Sequence, residues 1–103
     1  MSNAIKLFER WYKMKKLVKV EEVSGEGLIG LLGDTVTLFC LNYIYAGKLI
    51  GVNETFVQLE NAHIVYETGD FSEKKFKDAQ KLSNTVFYVQ ISAIESFGAV
   101  KEL

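Results

Sequence analysis

Gly25-Glu26-Gly27-Leu28-Ile29-Gly30 has the spacing of a dinucleotide-binding glycine loop. That chemistry needs a strand before the glycines, a helix after them and a parallel sheet whose crevice holds the pyrophosphate. Here the glycines lead straight into a strand pattern and no strand–helix–strand unit follows, so the stretch reads as a flexible turn. Cys40 is the one thiol and falls at an inward strand position beside Leu38, which suits a buried, inert sulfur. His63 is the one imidazole, at a strand bend with no Asp, Ser or Cys pattern beside it. One His and one Cys cannot build a protein-only zinc cage, and a single Cys excludes an internal disulfide. Carboxylates are numerous, yet no motif pairs two of them for acid–base work. The expectation is a protein that is not an enzyme, with no metal and no cofactor.

The chain has 103 residues, 49% apolar and 24% charged, which suits one globular domain spanning 1–103. No apolar run reaches the roughly 18 residues of a bilayer span, so no membrane role is expected. Lys and Arg interrupt the apolar residues near the start, against a secretory signal, and a cytoplasmic location is expected. The net charge of −1 hides an asymmetry. Residues 1–19 carry Lys6, Arg10, Lys13, Lys15, Lys16 and Lys19 against Glu9 alone, and the remainder is acidic. A basic arm on an acidic body could meet a phosphate backbone or an acidic partner, and a solvated helix face is the plainer alternative.

The spacing of apolar residues changes along the chain. Over 4–19, Ile5, Phe8, Trp11 and Tyr12 recur at three and four, with Leu7, Met14, Leu17 and Val18 widening the stripe, and Asn3 is placed to cap it. This predicts an N-terminal amphipathic helix. Residues 20–33 suit either a short helix or a loop. From Asp34 the period becomes two, predicting one long strand over Thr35–Tyr45, a turn or bend at Ala46-Gly47 and a second strand from Lys48 to Val52. Asn53-Glu54-Thr55 reads as a polar turn, and Phe56–Tyr66 as a third strand with a bulge or bend near Glu60-Asn61. A polar excursion over 68–84 could hold a short helix through Phe71, Phe76, Ala79 and Leu82. A fourth strand over Thr85–Ile91 and a short fifth one over Ala93–Phe97 complete the pattern. The fold class expected is mostly β: an N-terminal helix, then a five-stranded, strongly bent antiparallel sheet or small barrel over 34–98.

Within that pattern, Gly47, Leu49 and Asn53 fall at the spacing of the first Sm motif, with Asn in place of the motif's turn Asp. Leu59 and Asn61 follow where the bacterial Hfq branch carries a core Leu and its strand end, and Val89-Gln90-Ile91-Ser92-Ala93-Ile94-Glu95-Ser96 resembles the second motif. The stretch 34–98 together with the helix therefore resembles the Sm-like (LSm/Hfq-type) family of small β-barrels. That resemblance implies a homo-oligomeric ring in which the fourth strand of one subunit pairs with the fifth strand of the next.

It also implies single-stranded RNA near the pore, with bases stacked at the turn after the second strand and bonded from the turn between the last two. On this sequence the first turn is Asn53, Glu54 and Thr55, with Phe56 one residue beyond the position of the Hfq stacking aromatic. The last turn is Gln90, Ile91 and Ser92, where Sm proteins carry Arg-Gly and Hfq carries Tyr-Lys-His. The cation is missing there, and Glu54 adds negative charge. Lys13, Lys15, Lys16 and Lys19 of the helix supply an alternative backbone-binding surface. The RNA-binding expectation thus rests on Asn53, Thr55, Phe56, Gln90 and Ser92 with those four lysines. A ring that serves as a protein scaffold without RNA is the competing expectation.

Overall fold

A computed structural model describes residues 25–82 and 86–103. The expected helix over 4–19, its cap Asn3 and Lys13, Lys15, Lys16 and Lys19 lie outside the described residues, as does Thr85, the expected start of the fourth strand. Six antiparallel strands form one open sheet: β1 (Thr35–Cys40), β2 (Ile44–Val52), β3 (Phe56–Glu67), β4 (Asp78–Lys81), β5 (Phe87–Gln90) and β6 (Ile94–Gly98). Its order is β4-β3-β2-β1-β6, and β5 also pairs with β3. No helix among the described residues is long and apolar enough to cross a membrane.

Three expectations about elements are corrected. The first strand does not run on to Tyr45; it ends at Cys40, the chain turns through 41–43, and β2 begins at Ile44. Gly47 accordingly lies inside β2, opposite Val36 on β1. The 68–84 excursion holds a strand, β4, where a short helix was expected. It forms because Ile64 and Val65 offer an open edge, which Gln80 and Ala79 take up. The fourth expected strand is shorter at its end, because Ile91 begins a 3-10 turn over Ile91–Ala93 that leads into β6. Residues 20–33 resolve, from 25 onward, into a single helical turn α1 (Gly27–Gly30). Leu28 and Leu31 around it pack on the core.

Strand β3 is long enough to hold two partners end to end: Phe56–Leu59 pair with β5 and His63–Glu67 with β4. Between these halves the expected bend is present. From Ala46 to Lys48 β2 advances two residues while β3 advances three, from His63 to Glu60, which is a bulge. Asn61 takes φ 54°, a left-handed conformation that Asn tolerates better than most residues. Gly47 is what allows the bend to close. A Cβ there would stand 3.0 Å from the Glu60 carbonyl oxygen and 3.2 Å from Ala62 Cα.

The sheet buries side chains on both faces. Val36, Leu38, Leu49, Val57, Leu59, Ala62 and Val89 form the main core, with Leu49 opposite Leu59 and Val57 opposite Val89. The other face carries the register row Gly98, Thr37, Ala46, His63 and Lys81. Thr37 and Ala46 are fully buried there, and Val65 nearly so. Residues 99–103 turn back from β6 toward the loop before β4, where Lys75 and Glu102 make a parallel bridge. His63, Phe76, Ala79, Glu102 and Leu103 border one hollow on that side. The outer edges of β5 and β6 carry no strand among the described residues.

Candidate nucleic-acid interface

The turn between β2 and β3 is closed by Asn53. Its Oδ1 accepts from the backbone N–H of Thr55 at 2.7 Å and of Phe56 at 2.8 Å, and its own N–H donates to the Phe56 carbonyl at 3.0 Å. A short acceptor side chain at the first turn position satisfies backbone donors that the reversal would otherwise strand. Asn53, Glu54 and Thr55 are all exposed.

The second turn is bonded directly onto the first. Phe56 and Gln90 are register partners, and the Ile91 N–H donates to the Thr55 carbonyl at 2.8 Å. Ile91 packs inward against the core, so Gln90 and Ser92 on either side of it are left exposed. Asn53, Thr55, Phe56, Gln90 and Ser92, far apart in sequence, therefore share one end of the sheet. The four lysines named with them lie outside the described residues.

Tyr88 joins this group from one residue ahead of the stretch 89–96. Strand alternation puts it on the face of Phe56 and Gln90, opposite Gln58. Its ring meets the Phe56 ring edge to face, with centroids 5.0 Å apart and planes at 77°. Tyr88 is 54% exposed and Phe56 half-buried. The spacing of two between Tyr88 and Gln90 was the available signal. Together these residues offer aromatic surface for stacking, with amides and hydroxyls able to bond base edges. Glu54 is the one charged side chain across 53–56 and 88–92.

The other residues singled out for chemistry have structural surroundings. Cys40 is half-buried against the core, with its thiol directed at the Leu38 carbonyl at 3.8 Å. Burial pushes that thiol above its ordinary pKa, disfavouring the reactive thiolate. Tyr45 packs on Phe87 at 5.4 Å between centroids, and burial first, then Cys40 and Tyr43, raises its phenol. His63 Nδ1 lies 2.8 Å from the Asn61 carbonyl. A carbonyl only accepts, so Nδ1 carries the proton and the ring braces the bulge. The glycine stretch 25–30 contains only the single turn α1, too short for a phosphate-binding helix end. No family model matches the chain, and no curated protein matches it.

Proposed function

We propose that this chain is an Sm-like small barrel that assembles into a homo-oligomeric ring and binds single-stranded RNA at the surface made by its two joined turns. The observation that carries the reading is the Ile91-to-Thr55 hydrogen bond at 2.8 Å, which sets both motif turns side by side and leaves their polar residues outward. The element order supports it: three strands, a long excursion and two final strands parted by a 3-10 turn, with β4 as an addition inside the excursion. Gly47, Leu49, Asn53 and Leu59 each do the physical work their motif positions require: close approach, core, turn cap and core.

Bases would stack on Phe56 and Tyr88, with Gln90, Ser92 and Asn53 bonding their edges. Phosphates would be met by Lys13, Lys15, Lys16 and Lys19, because the turns carry no cation. That same lack, with exposed Glu54 in the first turn, favours a second reading in which the ring is a protein scaffold.

Assembly is tested first. β5 and β6 expose Tyr88 and Phe97 at 54% and 41%, beside edges unpaired among the described residues. Light scattering should give several subunits per particle at micromolar concentration. Phe97→Lys, which puts a charge on the β6 edge, should give a folded monomer. A wild-type monomer would remove the ring and with it both readings.

A further inference from the structure

The most unusual polar site among the described residues lies away from the turns. Lys101 is only 5% exposed, and its Nζ donates to the carbonyl oxygens of Thr68 at 2.7 Å, Asp70 at 2.7 Å and Lys75 at 3.2 Å. Three donors thus meet three acceptors. The Phe71 and Phe76 rings stand 5.4 and 5.6 Å from the same nitrogen, within cation–π range.

All five cage residues come from one stretch, 68–76, and that stretch is held by its own bonds. Asp70 Oδ1 accepts from the Ser72 N–H at 2.9 Å, and the Glu73 N–H donates to the Asp70 carbonyl at 3.0 Å. The Lys77 N–H reaches back to the Thr68 carbonyl at 3.4 Å. Gly69 takes φ 69°, which a side chain would strain. The cage is therefore built locally, and only the ammonium arrives from far along the chain.

The segment that brings it also meets the backbone of the loop. Lys75 and Glu102 form a parallel bridge, and the Glu102 N–H donates to the Lys74 carbonyl at 2.8 Å. One backbone bridge with one pocketed side chain combines the two elements by which extended peptides are recognised, main-chain bonds and a side-chain pocket. A planar guanidinium does not offer three tetrahedrally spaced donors to three carbonyls, so the site selects lysine over arginine.

We propose that loop 68–76 is a receptor for a lysine-bearing extended peptide, and that residues 99–103 fill it in cis. The partner is thus a protein segment that competes with this latch, and the inference is independent of RNA binding.

The probe is a labelled, end-blocked Ala-Val-Lys-Glu-Leu peptide, titrated onto the full chain and onto Lys101→Ala. The expected result is binding to Lys101→Ala at least tenfold tighter than to the wild type. Peptides carrying Arg or acetyl-lysine in place of Lys should bind at least tenfold more weakly than the Lys peptide. Failure of folded Lys101→Ala to bind, or equal binding of the three peptides, would overturn the proposal. Should that variant not fold, the wild type decides by NMR. The Lys101 ammonium should give a slowly exchanging signal at neutral pH, and excess Lys peptide should shift the Thr68–Phe76 amides while the acetyl-lysine peptide does not. An unprotected ammonium, or no selective shift, would also overturn it.

Discussion

At the scale of single residues, the backbone's demands decide most of what each side chain does. Asn53 is the plainest case, because two N–H groups converge on one Oδ1 at 2.7 and 2.8 Å. Asn53→Ala should cost about 1 kcal/mol, since hydrogen bonds are lost at an exposed turn where water replaces them, and Asn53→Asp should be tolerated. Urea denaturation of the two variants checks this. Asp70 is tuned by its surroundings: the Ser72 backbone N–H first, then the Ser72 side chain, outweigh desolvation and hold its carboxyl below the ordinary value of 3.8, and the Lys101 charge adds a lesser lowering. The unfolded chain therefore binds this proton more readily than the folded one. The carboxylate's contribution is complete above the ordinary value and is lost as pH falls through the folded one. Asp70→Asn should lower the urea midpoint at pH 6, and that difference should shrink steadily as the pH drops to 3 and below.

Residue types with strict backbone requirements were also the most readable in sequence. Asn53 announced a turn and Asn61 a bend, because few other residues meet those backbone needs. Lys101 announced nothing. Its acceptors lie 26 to 33 residues earlier and are backbone carbonyls, which leave no mark on side-chain pattern.

At the scale of elements, the fold departs from the sequence pattern where neighbouring strands outweigh local preference. The turn at 41–43 is Leu-Asn-Tyr, where Asn42 alone among turn formers interrupts an apolar alternation, so β1 and β2 read as one strand. Gly47 then attracted a turn that belongs at 41–43, although its real role is close approach to the β3 bulge. Strand β4 is Asp-Ala-Gln-Lys, a sequence of low strand propensity that is ordered by the free edge of β3 beside it. Tertiary context overrode local preference in both places. The account of Gly47 is testable: Gly47→Ala sets a methyl 3.0 Å from backbone oxygen at the bulge, so Glu60–Ala62 must shift. The expected cost is about 1–3 kcal/mol, typical of overpacking a filled site. Thermal or urea unfolding measures it, and amide exchange should quicken first around Asn61.

At the scale of the whole molecule, the β-rich antiparallel class was legible because period-two alternation dominates from Asp34 onward. The docking of residues 99–103 on the loop before β4 was not, since it depends on contacts between segments far apart in sequence. If four lysines on each subunit's basic arm meet phosphate while Phe56 and Tyr88 hold bases, the two contributions separate by salt and by mutation. The direct measurement is fluorescence anisotropy of labelled U-rich and A-rich single-stranded RNA, at low and moderate salt, on protein whose mass light scattering has shown to be oligomeric. The account predicts submicromolar binding that weakens steeply with added salt, and a loss of about tenfold in Phe56→Ala, as one stacking contact implies. An intact oligomer that binds neither RNA at micromolar concentration and low salt would contradict it.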